Sequence, residues 1–238
     1  MEGRWIGDTG LQARARAALG VVLGDLGAFD DAAVELARAL LLARACECAT
    51  TAPRVTTNIA NLHRKRARAH FAAGDRDAGV AQALVACDVA RSAAALAREQ
   101  DETSAHIDAL GIAGAAAALA GDVEQALAGL GESIELARAA RCHGAIAWVL
   151  FERARLALAA GDITAARRDY LEAHDLALEV RPSRKVAAAC RGLQEAALLA
   201  GDGDAARHWC ERADHESAEF ERLREQTRMQ LAAFAAGA

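Results

Sequence analysis

Seven histidines, six cysteines and 33 acidic residues give this 238-residue chain many side chains capable of chemistry. Their spacing decides whether they can act together. A zinc site needs paired ligands at spacings that close around the ion. Cys46 and Cys48 are two apart in an expected helix and point to different sides. Cys142 and His143 open another helix. His208, Cys210 and His215 share one segment, yet Cys210 falls on a packing position and the histidines lie off that face. There is no G-x-S-x-G and no H-E-x-x-H motif. The recurring Gly-Asp pairs lie between two helices rather than after a strand, so they are not phosphate loops. The carboxylates read as helix caps and solvated faces. The chain is therefore expected to be no enzyme, with no catalytic residue, metal or cofactor.

The run "NLHRKRARAH" over residues 61–70 is the densest group of cations. Arginine forks suit carboxylates and phosphates. The same run also reads as a solvated helix face whose long stems cover alanine. Nucleic acid is a poor match. The run is short and lacks interleaved aromatics, and 28 basic against 33 acidic residues leave the chain at −5.

The elements that must position these groups are helices. The sequence is 53% hydrophobic, much of it alanine, and only 4% aromatic. Alanine, Leu, Arg, Glu and Gln are strong helix formers. Pro53 and Pro182 are the two prolines, and strand-type runs of β-branched and aromatic residues are missing. An all-α fold follows. The start "MEGRWIGDTG" has no apolar core of a secretory signal, and the apolar run "ALGIAGAAAALAG" reads as too short and too weakly hydrophobic to span a bilayer. No membrane association is expected. Cysteines without a framework spacing read as reduced thiols in a cytoplasmic protein.

A phrase returns along the chain: an alanine-rich stretch, a turn glycine, then a helix with small residues at fixed offsets. The glycines are Gly27, Gly74, Gly121, Gly161 and Gly201, with gaps of 47, 47, 40 and 40 residues. Five residues later come Ala32, Gly79, Ala126, Ala166 and Ala206. Nine later come Leu36, Ala83, Leu130, Tyr170 and Cys210. Twelve later come Ala39, Ala86, Ser133, Ala173 and Ala213. Glycine ends a helix in the left-handed region without strain. Asp75, Asp122, Asp162 and Asp202 can cap the helix that follows. Small residues at +5 and +12 share a face and let helices approach. Each copy is a helical hairpin, and one hairpin cannot bury its apolar face alone, so copies stack. Helices are expected over 10–26, 29–48, 54–73, 76–99, 104–120, 123–140, 143–160, 163–180, 183–200 and 203–217. A separate helix follows within 217–238, with Phe220, Leu223, Leu231 and Phe234 on one stripe. That last helix reads as a cap or a linker, and its stripe could support a homodimer. Residues 1–9 read as an extension before a repeat region over 10–216.

Leu19-Gly20, Gly27, Ala32, Leu36 and Ala39, and again Gly161, Ala166, Tyr170 and Ala173, resemble the tetratricopeptide repeat (TPR) motif. The Trp and Tyr of that motif's first helix are missing, and the period of 40 or more exceeds the usual 34. The longer period is similar to extended repeats of bacterial regulatory proteins. The resemblance implies an α-solenoid of about five hairpins, wound as a right-handed superhelix and capped at its C-terminal end. It implies a non-enzymatic protein–protein interaction scaffold that holds a peptide or partner helix in a concave groove. It equally allows the sensory or regulatory region of a signalling protein, such as a transcriptional activator or diguanylate cyclase, without its output domain. In such arrays the first helix of each hairpin lines the groove, at 13, 10 and 6 residues before the turn glycine. Here those positions include Arg14, Asn61, Arg64, Arg68, Trp148, Phe151, Arg155 and Arg191, and one further turn back adds Asn58 and Lys185. The groove is thus expected to favour acidic groups, with Trp148 and Phe151 as exposed anchors.

Overall fold

A computed structural model describes residues 9–45, 51–179 and 184–237, with side chains for 9–45, 51–179, 185–226 and 229. Ten helices fill these segments, and no strand occurs among the described residues. They form five hairpins: α1 (Thr9–Asp25) with α2 (Phe29–Ala45), α3 (Thr51–Ala72) with α4 (Arg76–Glu99), α5 (Thr103–Ala120) with α6 (Val123–Ala139), α7 (His143–Ala159) with α8 (Ile163–Glu179), and α9 (Arg184–Leu199) with α10 (Gly203–Gly237). The chain divides into two compact units, residues 1–140 and 141–238.

The turn chemistry follows the repeat. All five turn glycines hold a left-handed φ between 74° and 89°. Asp75, Asp122, Asp162 and Asp202 each accept the backbone N–H three residues on, at 2.9–3.2 Å. Between hairpins the same region is forced on Asp101 and Arg141, with φ of 55° and 54°. A side-chain-bearing residue there carries strain that glycine avoids.

Every +5 and +12 residue is buried. Small size at these places permits contact between backbones. A Cβ added to Gly114 would lie 2.8 Å from the Leu130 nitrogen and 2.9 Å from the Ala126 oxygen, so α5 and α6 touch through their main chains. In the first unit Ala17, Ala32, Leu36, Ala39, Val55 and Leu62 make one core cluster across α1, α2 and α3. In the second, Ala154, Leu158, Ala166, Tyr170, Leu193 and Ala196 do so across α7, α8 and α9.

Three expectations change. The helix containing Pro53 starts at Thr51 rather than after the proline. Pro53 sits in the first turn, where its missing N–H has no partner to lose. The C-terminal segment is not a separate helix: α10 runs unbroken through 35 residues. Residues 204–236 contain neither glycine nor proline, and their Glu, Arg, Ala and Gln favour continuation. Finally, α4 and α5 are long and apolar enough to cross a membrane by length and composition. Their alanines, however, form helix contacts: Ala83, Ala86, Ala90, Ala93, Ala109, Ala116 and Ala117 are all fully buried.

Candidate binding groove

First helices lie beside first helices. Within the first unit α3 packs on both α1 and α5, and within the second α7 packs on α9, whereas α2 and α4 make no such contact among the described residues. Each unit therefore has a wall of first helices, and the ten expected groove residues divide five and five between the two walls.

The first wall holds Arg14, Asn58, Asn61, Arg64 and Arg68. The structure brings Arg14 and Asn58 together. They line a cavity of about 470 Å³ with Ala17, Ala18, Thr51, Arg54, Val55 and Glu102. Arg14 is exposed. Arg54 is also largely exposed and lies 3.9 Å from the Glu102 carboxylate, outside hydrogen-bonding distance. Among the described lining residues two guanidinium groups stand against one carboxylate, beside the apolar walls of Ala17 and Val55. Glu102 is the N-cap of α5 but makes no side-chain cap bond.

Arg64 is placed differently from the expectation. It is 6% exposed, and its Nε and Nη2 both donate to Asn61 Oδ1, at 3.0 and 2.9 Å. It stiffens the wall rather than presenting an open cation. Arg68 and Asn61 are half-buried. The neighbouring cations of the basic run hold hairpins together. Lys65 Nζ reaches Asp25 at 2.5 Å, and Arg66 Nη2 donates to the Phe29 carbonyl at 2.8 Å and to Asp30 at 2.7 Å. His63 meets Gln82 at 2.9 Å. The run is an intramolecular clamp between α3 and its neighbours, rather than a stripe of free charge.

The second wall holds Trp148, Phe151, Arg155, Lys185 and Arg191. Phe151 is not an exposed anchor. Its ring packs edge-on to Tyr170, centroids 5.6 Å apart, at the margin of the unit's core. Tyr170 is long enough to reach across the hairpin, and Gly192 makes room for it: a Cβ there would lie 2.4 Å from the ring. Trp148 is half-buried. Arg155 donates to buried Glu152 at 2.9 Å. Lys185 is exposed, with Nζ 3.4 Å from the Gly144 carbonyl. Arg191 is exposed, 3.5 Å from Asp214, and borders a cavity of about 260 Å³ with Ala187, Ala188, Ser217, Phe220 and Glu221.

Two solved structures share the architecture. BtubC (BKLC) from P. vanneervenii superposes with a TM-score of 0.59 at 15% identity, over 90% of this chain and 82% of that one. A putative kinesin light chain from Podosopora anserina, with nearly identical TPR-like repeats, gives 0.54 at 15% identity, over 88% and 96%. The fold is a TPR-type α-solenoid. No family model and no curated protein matches the sequence.

With the TPR register in place, the residues missed from sequence are intelligible. Thr51 stood in the gap before the helix expected from residue 54, Arg54 stood at that helix's first position rather than on a counted groove position, and Glu102 stood in the gap between the helices expected over 76–99 and 104–120. Proline two residues after a threonine was the available signal for an earlier helix start. The cysteines divide as well. Burial pushes the Cys190 thiol up to about 11 and raises that of Cys87. No cluster of three metal-ligating side chains occurs among the described residues. Cys46, Cys48 and the side chains of Leu231 and Phe234 lie outside them.

Proposed function

We propose that this TPR-type chain is a non-enzymatic interaction module, and that the first-helix wall of its first unit takes an acidic segment of a protein or peptide. The observation that carries this is the cavity where exposed Arg14 and Arg54 flank Asn58, with Ala17 and Val55 beside them and Glu102 as the one carboxylate among the described lining residues. A carboxylate can accept from an arginine fork while its aliphatic stem lies on the alanine and valine surface. Asn58 supplies a neutral donor for a backbone carbonyl. The reading places the module in the cytoplasm, which suits the free thiols of Cys87, Cys190 and Cys210.

Fluorescence anisotropy with a labelled Glu-rich 12-residue peptide, and with its Lys-for-Glu counterpart, tests the reading. The acidic peptide should bind, the basic one should not, and added salt should weaken binding. Arg14→Glu with Arg54→Glu should lower affinity by about tenfold or more, since a hydrogen bond to a charged group contributes on the order of 1.5–3 kcal/mol. Equal binding of both peptides, or indifference to the double reversal, would sink it.

A further inference from the structure

Helix α1 is apolar on two opposite sides. Gly10, Ala13, Ala17, Gly20 and Gly24 are buried against its neighbours. At 3.6 residues per turn, Leu11, Leu19, Val22 and Leu26, the last in the turn that follows α1, fall within about 80° of one another, on the side away from those small residues. They are 58%, 48%, 54% and 72% exposed. A helix with apolar residues all round is ordinarily a buried one. The open end of a solenoid ordinarily presents a polar face.

We propose that this stripe is an isologous interface, covered by α1 of a second copy of the chain running antiparallel. The stripe is self-complementary. Centred between Ala18 and Leu19, an antiparallel pairing sets Leu11 against Leu26, Ala15 against Val22 and Ala18 against Leu19 of the second copy. Large residues meet small ones in the middle, and leucines close both ends. A two-fold axis makes each contact occur twice. Charge agrees with the same register. Arg14 and Asp25 lie on the same flank of the stripe, and antiparallel helices bring like flanks together. Arg14 of one copy thus comes within reach of Asp25 of the other, so the second copy and an acidic ligand compete for Arg14. Asp25 is 55% exposed and already bonded to Lys65, and its carboxylate has lone pairs left to accept a second donor. A head-to-tail contact fits worse. The described part of α10 exposes Arg207, His208, Glu211, Asp214, His215 and Arg222, and an apolar stripe laid on these would desolvate them, ion pairs such as Arg207–Asp204 and Arg222–Glu219 included, while offering no polar group in return.

Sedimentation equilibrium of the full chain across 1–100 µM (about that range, to bracket a moderate dimer) tests the pairing. A monomer–dimer equilibrium is expected. Leu19→Glu with Leu26→Glu should weaken it by at least about tenfold, as the two copies of position 19 then bring like charges together near the axis and the charge at position 26 is buried against Leu11 of the other copy. Both positions are exposed, so helical circular dichroism should be unchanged. Leu41→Glu, at a 67% exposed site on α2, should dimerise like the parent. A monomer at every concentration overturns the proposal. So does a dimer that tolerates the double substitution, or one lost only on removing residues 217–238, which would assign association to the C-terminal helix.

Discussion

The walls of the two units obey one turn register yet present different chemistry. In the first, the position nine residues after the turn glycine is Leu36, Ala83 or Leu130, and the wall keeps an open cavity beside Arg14 and Arg54. In the second it is Tyr170 or Cys210, and the Tyr170 ring packs on Phe151 and needs Gly192 opposite. Their ion pairs differ too. Lys65–Asp25 in the first unit is a partly exposed link between hairpins. In the second, Asp169 is 1% exposed and takes Arg153 Nε and Nη2 at 2.6 and 3.0 Å, with Arg168 at 3.0 Å. The aromatic at this repeat position packs Phe151 at the margin of the second unit's core, while a smaller cavity stays open beside Arg191.

The largest expected effect breaks that contrast from the second side. Asp169→Ala leaves Arg153 without its carboxylate. Because Arg153 is a quarter exposed, the loss should be about 2–3 kcal/mol rather than the full cost of a buried pair. Among the described residues each unit holds one buried thiol, Cys87 and Cys190, so the unit affected can be read directly. Ellman's reagent at pH 8 should reach Cys190 faster in Asp169→Ala, with Cys87 unchanged. Equal acceleration at both would show that the units unfold together. Both thiols are held neutral by burial, Cys190 up to about 11 against an ordinary 9.0. The contribution of Cys190 to stability is therefore complete below pH 9 and falls as pH rises from there toward 11.

Gly114→Ala should destabilise the first unit by about 1–3 kcal/mol in urea titrations, because the new methyl meets backbone that cannot swing away. Gly192→Ala in the second should cost less if the Tyr170 ring can tilt, and a larger loss there would show that the aromatic pair is rigid. Asp162→Ala removes a bond to the Ala165 N–H and should cost about 1 kcal/mol. Lys65→Met should cost under about 1 kcal/mol, as an exposed pair does, and a larger loss would put the clamp of the first unit on a par with Asp169. The smallest change is a gain: Arg141→Gly relieves a left-handed φ of 54° and should raise the thermal midpoint slightly.

Much of the fold was legible because its determinants are local. A left-handed turn selects glycine, a cap selects aspartate three residues before the N–H it binds, and a close helix contact selects alanine at +5 and +12. The site was legible only in part. The spacing put Arg14 and Asn58 on the first-helix face, where the cavity is. It put Arg64 there as well, but not the Asn61 oxygen that occupies its guanidinium. It also counted Phe151 as an anchor with no knowledge of how far Tyr170 reaches.

The sequence by itself determined helix, turn and repeat, since these rest on backbone preferences within a few residues. Tertiary structure alone decided which arginines remain open, which are tied to a neighbouring hairpin, and which face of α1 stays exposed. Those outcomes depend on side-chain length and partners 16–40 residues away, as in Arg153–Asp169 and Lys65–Asp25. No spacing rule within one helix contains them.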